Sequence, residues 1–288
     1  MSQTQTRILI DDLTFAEGPR WRDGFLYFSD FYDGVVKRVS LDAKSDIVAH
    51  VPTQPSGLGW LPDGRMLIVS MTDRQLMCLD ATTLSAVSDL TALAGFHCND
   101  MVVDAQGRAY IGNFGFNSEA GEQPISTNLV LVRPGEAPVI AADDLLFPNG
   151  TVITPDGKTL IIGETYASRL TAFDVAADGS LSNRRLWADM SGLAPDNPPV
   201  PDGICLDEEG AIWVASPTTS EVLRLAEGGE VLQRVPLSAR AFACMLGGPA
   251  RKTLFICTAN ASSKQACISQ RSGRIEMLEV DVAGIGLP

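Results

Sequence analysis

The chain has few of the groups on which the commonest hydrolytic and nucleotide chemistries depend. It holds only two histidines in 288 residues, which leaves little room for a histidine-based zinc site. It contains no G-x-S-x-G, H-E-x-x-H or G-x-x-x-x-G-K-S/T motif, and no glycine-rich fingerprint between a strand and a helix. These absences argue against serine hydrolases of that type, zincins, P-loop NTPases and dinucleotide-dependent enzymes.

Positive charge and long apolar runs are also scarce. The net charge of −13 argues against nucleic acid or an anionic membrane surface as a partner. No apolar run approaches the roughly 20 residues of a membrane helix. Residues 1–6 are polar and only Ile8-Leu9-Ile10 follows, so no signal peptide is expected. We therefore expect a cytoplasmic protein that binds neither nucleic acid nor membranes.

The cysteines show no pairing pattern. None of the six belongs to a C-x-x-C pair, and most lie within apolar runs. Such cysteines are typical of buried thiols in a reducing compartment rather than of disulfides or zinc ligands. The six are Cys78, Cys98, Cys205, Cys244, Cys257 and Cys267.

What the sequence contains instead is a repeat. In four copies a polar residue is followed by an apolar run and, eight positions after the polar residue, by a turn glycine. These copies begin at Ser56, Asn99, Asn149 and Asp202. An earlier copy from Glu17 is one residue shorter, and a sixth, with Ala243 loosely in the first position, is degenerate. We call these first positions the leading residues. From Glu17 to Asp202 they are 39, 43, 50 and 53 residues apart, and periods of about 40–50 residues are typical of β-propeller blades.

The fourth copy shows the strands of one blade most clearly. Turn residues separate four strand-like runs, which are Thr151–Thr154, Thr159–Glu164, Arg169–Val175 and Leu181–Trp187. The first run of each copy is almost continuously apolar, as expected for a strand buried on both faces, and no helical pattern competes. Six copies over 288 residues average 48 residues each. The sequence therefore predicts an all-β, six-bladed β-propeller.

The ends of the chain and its longest loops complete this prediction. Arg7–Leu13 is expected to pair with a strand near Arg274–Val282, which would close the ring and hide its edges. No linker interrupts the repeats, so residues 1–288 are expected to form a single domain. The two longest intervals between leading residues contain extra residues in the loops 117–127 and 191–201. These loops are candidate binding loops.

The leading residues are the candidates for chemistry. In a propeller they lie near the axis at one end of the channel, and four of them, Glu17, Asn99, Asn149 and Asp202, carry a carboxylate or amide oxygen. Two carboxylates that converge near an axis repel each other and are costly to desolvate, and a divalent cation removes both problems. Such an oxygen set suits calcium, magnesium or manganese. The alternative is that each residue only serves a turn, since Asn and Asp before Gly are ordinary turn chemistry.

Four short motifs in this order carry a family resemblance. Glu17-Gly18-Pro19, Asn99-Asp100, Pro148-Asn149-Gly150 and Pro201-Asp202-Gly203 on a sixfold repeat resemble the SMP-30/gluconolactonase/luciferin-regenerating family, from about Phe15 to Val282. The resemblance implies a propeller with one catalytic divalent metal at the channel mouth, calcium first, with zinc, manganese, magnesium or iron(II) as alternatives. It implies that Glu17, Asn149 and Asp202 are ligands, that Asn99 is a further ligand or a substrate contact, and that Asp202 is also the general base.

One position departs from the family. Sugar-lactone members commonly have Arg two positions before the Asn of the third motif, where this chain has His97. Histidine is shorter and only partly charged near neutral pH. With Phe114, Phe116, Phe147 and Tyr166 near strand ends, it suggests a less polar substrate than a sugar acid. The open alternative is that the aromatic residues pack between blades and that His97 is an ordinary loop residue.

Together these features predict a divalent-metal-dependent lactone hydrolase. The metal would polarise the carbonyl, and Asp202 would activate a water. The substrate-binding candidates are Asn99, His97, Phe114, Phe147 and Tyr166. We expect a small-molecule lactone or ester as substrate, and a monomer or weak homo-oligomer. The alternatives are a hydrolase of other esters or phosphotriesters, a propeller scaffold with a structural metal, and a lyase of the strictosidine-synthase kind, against which the metal-ligand set speaks.

Overall fold

The computed structural model describes residues 5–118 and 120–286, and these form six four-stranded antiparallel sheets. We number these sheets as blades one to six. Blade one contains β2 (Ala16–Arg22), β3 (Phe25–Asp30), β4 (Val35–Ser40) and β5 (Ser45–His50). Blade two contains β6 (Pro55–Trp60), β7 (Met66–Ser70), β8 (Gln75–Asp80) and β9 (Thr83–Asp89). Blade three contains β10 (Cys98–Val103), β11 (Ala109–Asn113), β12 (Thr127–Val132) and β13 (Val139–Leu145).

The second half of the chain repeats this order and adds one strand from the N-terminal region. Blade four contains β14 (Pro148–Ile153), β15 (Thr159–Glu164), β16 (Arg169–Val175) and β17 (Leu181–Asp189). Blade five contains β18 (Ile204–Leu206), β19 (Ile212–Ser216), β20 (Glu221–Leu225) and β21 (Val231–Pro236). Blade six contains β22 (Arg240–Gly247), β23 (Thr253–Ala259), β24 (Gly273–Glu279) and β1 (Arg7–Leu13).

The first strand of each repeat is the innermost strand of its blade. Neighbouring inner strands are in contact all the way round, from β2 through β6, β10, β14 and β18 to β22 and back to β2. The inner strands are buried along almost their whole length, as their continuous apolar runs predict. The six-bladed β-propeller predicted from the repeat is confirmed.

The ring is closed by a strand from each end of the chain. β1 pairs antiparallel with β24, with Arg7 opposite Met277 and Leu13 opposite Gly273. Leu13 is buried in the core that blade six shares with its neighbours. The predicted pairing between Arg7–Leu13 and the C-terminal strands is therefore confirmed. That residues 1–288 act as one domain stays a prediction.

Two details of the prediction are wrong. The sequence showed no helical pattern, but a seven-residue helix, α1 (Lys264–Gln270), lies between β23 and β24, with only Cys267 buried. The inner strand of blade four begins at Pro148, ahead of Asn149, rather than at Thr151. A short helix with a single buried residue has too little apolar periodicity to be visible in the sequence. No helix of the described residues is long and apolar enough to cross a membrane.

All six cysteines are buried free thiols, as predicted. Each belongs to a cluster of buried apolar residues, and burial raises the pKa of the Cys98 thiol to about 12. Such a thiol stays protonated and unreactive near neutral pH.

Candidate metal and substrate site

Most inner strands are irregular at the leading residue. The regular pairing is interrupted between Glu17 and Arg20, Pro55 and Leu58, Cys98 and Met101, Pro148 and Thr151, and Ala241 and Ala243. Such bulges redirect a side chain out of the regular alternation of a strand. One cavity of about 660 Å³ lies at the end of the channel where the leading residues are, and it is lined by Glu17, Asn99, Asn149 and Asp202.

The contacts between inner strands correct the prediction for blade six. The Gly150 amide donates to the carbonyl oxygen of Asp202 at 3.2 Å, and the Gly203 amide donates to the carbonyl oxygen of Phe242 at 2.8 Å. Phe242 therefore occupies in blade six the place that Asp202 occupies in blade five, and it lines the cavity. The leading residue is Phe242 rather than Ala243. The sixth copy has neither a polar leading residue nor a following glycine, so its register could not be read from the sequence.

The two carboxyl groups of the site are buried close enough to influence each other. Burial raises the pKa of Glu17 well above its ordinary value, and the charges of Asp202 and Asp100 act in the same direction. Burial also raises the pKa of Asp202 to about 7, although the hydrogen bond from Asn149 and the charge of Arg240 both act to lower it. The cause in both cases is the cost of placing negative charge in a poorly solvated cavity. A positive charge placed between the two groups would remove that cost.

Three residues each offer one oxygen for such a charge. The Asn149 amide nitrogen donates to Asp202 Oδ1 at 2.6 Å and to Thr165 Oγ1 at 3.1 Å, which leaves Asn149 Oδ1 and Asp202 Oδ2 without a hydrogen bond from the described residues. Glu17 Oε2 accepts the Gly18 amide at 3.0 Å, and Glu17 Oε1 is likewise without such a bond. Because these residues line the cavity, the three oxygens are a fitting set for a hard divalent cation.

A metal ion at this site would need amide oxygens as ligands in addition to the two carboxylates. No three His, Cys, Asp or Glu side chains within residues 5–118 and 120–286 cluster as a metal site. Asn99 is the fourth candidate ligand. Its Oδ1 lies 3.5 Å from the Ser56 hydroxyl and it lines the same cavity, where either a ligand or a substrate contact is compatible with its position.

The predicted substrate-binding residues form a continuous aromatic wall across blades three and four. The ring centroids of Phe96 and His97 are 4.0 Å apart, and those of Phe114 and Phe147 are 4.5 Å apart in a stacked pair. His97 and Phe114 are 6.1 Å apart, and Tyr166 extends the wall at 5.4 Å from Phe147. His97, Phe114, Phe147 and Tyr166 all line the cavity, whereas Phe116 is buried behind Phe147 and Tyr166.

Phe147 reaches this wall at a cost in backbone strain. Its φ is +58°, in the left-handed region that bulky residues rarely adopt. Strain of this kind costs roughly 1–3 kcal/mol and tends to cluster at ligand-binding sites. The next residue, Pro148, opens β14 directly before Asn149, so the strained turn links the aromatic wall to the ligand set.

Several residues of the site were not predicted. Arg240, Lys264, Phe15 and Tyr32 line the cavity from blades six and one, and Ser118 and Val200 reach it from the two predicted binding loops. Next to Asn99 lies a buried ion pair, in which the Arg20 guanidinium donates to Asp100 Oδ1 at 2.7 Å. Arg20 and Asp100 are 80 residues apart, so only the closure of the ring brings them together.

The fold and the site define a class of protein, a six-bladed propeller with an acid- and amide-lined cavity at one end of its channel. The chain belongs to a family of this class. The family model described as SMP-30/Gluconolactonase/LRE-like region matches residues 15–260.

Known proteins resemble the chain over most of its length. A regucalcin of Danio rerio is 27% identical over 257 residues, covering 85% of this chain and 82% of the relative. A 6-deoxy-6-sulfogluconolactonase of Pseudomonas putida is 24% identical over 297 residues, covering 100% of this chain and 99% of the relative. The crystal structure of a calcium-binding protein, regucalcin, from Agrobacterium tumefaciens superposes with a TM-score of 0.81 at 22% identity, covering 99% of this chain and 96% of the other.

Proposed function

We propose that this protein is a divalent-metal-dependent lactone hydrolase. The observation that carries the proposal is a set of three oxygens, from Glu17, Asn149 and Asp202, that accept no hydrogen bond from the described residues and lie in a cavity bordered by aromatic rings. Relatives that are lactonases support the reaction class, and a calcium-binding relative supports calcium as the first candidate metal. Zinc, manganese, magnesium and iron(II) remain alternatives, because oxygen ligand sets accept several cations.

In the proposed reaction Glu17, Asn149 and Asp202 hold the metal, with Asn99 as a fourth ligand or a substrate contact. A divalent cation in this position supplies Lewis-acid polarisation of the lactone carbonyl. Asp202 accepts a proton from a water molecule while the water oxygen forms a bond to the carbonyl carbon. The hydrogen bond from Asn149 orients the Asp202 carboxylate for this transfer. The ring C–O bond then breaks, and the ring oxygen takes the proton from Asp202 to give a hydroxy acid.

The residues around the ligand set position the substrate. Phe114 and Phe147 form a flat stacked surface on which an apolar ring can lie, and Tyr166 borders it. His97 and Asn99 offer nitrogen donors to the oxyanion that develops on the carbonyl oxygen.

The test is proton release from a panel of sugar, aliphatic and aromatic lactones, with chelator-treated protein and with protein restored by each candidate metal. We expect turnover only after restoration, and a loss of about 10²- to 10⁴-fold in kcat for Asp202→Asn. Asp156→Asn is the matched control, because this exposed carboxylate lies at the opposite end of β14. Full activity in the chelated protein would rule out the metal. Calcium binding with no lactone turnover would instead favour another hydrolase or a scaffold.

A further inference from the structure

The cavity has two chemically different sides. The aromatic wall comes from blades three and four, on one side of the ring. The facing side comes from blades six and one and also has aromatic rings, among them Phe15 and Phe242. It differs in carrying Arg240, with Ser262, Ser263 and Lys264 at the start of α1. A ligand that spans this cavity therefore meets aromatic rings at both ends, and at the blade-six end it also meets two cationic side chains.

Arg240 is held in place without a carboxylate partner among the described residues. Its Nε donates to the Pro217 carbonyl oxygen and its Nη1 to the Ser262 hydroxyl, both at the long distance of 3.3 Å, and its guanidinium carbon lies 5.1 Å from the centroid of the Phe242 ring. Arg20, Arg108 and Arg224 by contrast each pair with a buried carboxylate. Arg240 forms no ion pair within 4.0 Å with any described residue, and its Nη2 makes no hydrogen bond within the described chain.

The charge of Arg240 acts on Asp202, but a bound divalent cation would already balance the carboxylates of the site. Glu17 and Asp202 supply two negative charges, which one divalent cation balances. With that cation bound, Arg240 and Lys264 leave the cavity positive, although the whole chain carries a net charge of −13. Guanidinium groups bind carboxylates and related oxyanions through paired N–H donors, and a fixed planar group loses little entropy in doing so.

We propose that the cavity selects lactones that carry an anionic oxygen group on a flat apolar body, and that Arg240 is the specificity-determining residue that binds this group. The aromatic wall takes the body of the substrate, and the carbonyl lies between it and Arg240, at the ligand set. The inference rests on the proposed lactonase activity, and it narrows the substrate class of the same site.

The test uses a pair of dihydrocoumarins that differ in one substituent on the aromatic ring, a carboxylate in one and a carboxamide in the other. The metal-restored protein is expected to favour the carboxylate in kcat/KM. In Arg240→Gln the ratio of the two kcat/KM values should fall by about 10- to 100-fold, mainly through KM, as expected for loss of a hydrogen bond between charged groups. Arg240→Lys should recover part of the ratio. Lys158→Gln, which removes the same charge from an exposed turn, should leave the ratio unchanged.

Each other result counts against the inference. No preference for the carboxylate in the unmodified protein would overturn it. An equal loss on both substrates in Arg240→Gln would show that Arg240 serves Asp202 or the fold, rather than a substituent. If neither compound is hydrolysed, the lactonase proposal fails for this class, and calorimetric dissociation constants of the two intact lactones decide the inference separately. Equal constants in the unmodified protein and in Arg240→Gln would then reject it.

Discussion

At the scale of single residues, the candidate ligands depend on a buried ion pair beside them. Arg20 donates to Asp100 and also to the carbonyl oxygens of Leu58 and Met101, at 3.0 and 2.6 Å. Asp100 accepts the Met101 amide at 2.8 Å. The pair thus joins the inner strands of blades one, two and three directly behind Glu17 and Asn99. A buried pair is costly to break, because removal of one partner leaves an uncompensated charge.

Asp100→Asn should therefore destabilise the protein by about 3–5 kcal/mol, since it leaves the Arg20 charge buried and unpaired. Urea unfolding at neutral pH measures the change. Asp63→Asn makes the same substitution in an exposed ion pair with Arg65 and should cost no more than about 1 kcal/mol. Equal costs for the two variants would show that the Arg20–Asp100 pair contributes nothing beyond a surface pair.

Individual residues of the site also show which features could be predicted from the sequence and which could not. The repeat placed Glu17, Asn99, Asn149 and Asp202 at equivalent positions, and the structure brings all four to one cavity. Their roles as ligands and as base stay predictions. Arg240 was missed because its importance depends on what lies across the ring from blade six, which no local pattern records. The Arg20–Asp100 pair was missed for the same reason, since its partners belong to different copies of the repeat.

At the scale of the strand, the glycine after a leading residue controls how closely two blades approach. A Cβ on Gly150 would overlap the carbonyl oxygen of Asp202 and the amide nitrogen of Ile204 in the next blade. The Gly150 amide also donates to the carbonyl oxygen of Asp202 at 3.2 Å, so the two segments are already in direct contact. This close approach is what holds Asn149 within hydrogen-bond distance of Asp202.

Gly150→Ala should separate β14 from the segment that carries Asp202. We expect a destabilisation of about 1–3 kcal/mol from overpacking, together with a loss of calcium affinity. Gly192→Ala is the control, because a Cβ there meets nothing within 4 Å. Thermal unfolding and calorimetric titration with calcium measure the two effects. Unchanged calcium affinity in Gly150→Ala would mean that the spacing of these strands does not set the geometry of the ligands.

Blade four also contains a carboxylate that gives stability a dependence on pH. Burial alone would raise the pKa of Glu164, but hydrogen bonds from Arg169, Thr171 and the Leu146 amide outweigh it and hold the pKa below its ordinary value of 4.5. A carboxyl group whose pKa is lowered by folding stabilises the protein above its unfolded pKa. That contribution is lost as pH falls through the folded value.

Glu164→Gln should therefore cost about 1–3 kcal/mol at pH 7, and the difference from the unmodified protein should shrink as pH falls below about 4.5. Urea unfolding of both proteins between pH 7 and pH 3 measures the difference. A gap that stays constant over this range would show that the loss comes from packing and not from the charge of Glu164. Within blade four the bounds of β15 and β16 match the sequence prediction, whereas those of β14 do not. The side-chain network that links the ends of β15 and β16 to β17 was not predictable.

At the scale of the whole molecule, one strand determines whether the ring is closed. β1 comes from the N-terminal region and covers the outer edge of β24, which would otherwise expose unpaired backbone groups. The closure was predictable because the first repeat begins only after Arg7–Leu13, which leaves one strand without a blade. Leu13 is 1% exposed and belongs to the core of blade six, whereas Ile8 on the same strand is 49% exposed.

Leu13→Ala should destabilise the entire ring by about 2–5 kcal/mol, because it leaves a cavity under the closing strand. Ile8→Ala removes an apolar side chain from the same strand but from its exposed face, so its cost should stay within about 0.5 kcal/mol. Hydrogen exchange of the β24 amides locates the effect. If closure holds the ring together, Leu13→Ala should lower protection in β24 and in the inner strands of blades one and six, which meet at the closure. Faster exchange confined to β1 would instead show that the other strands form a stable propeller without it.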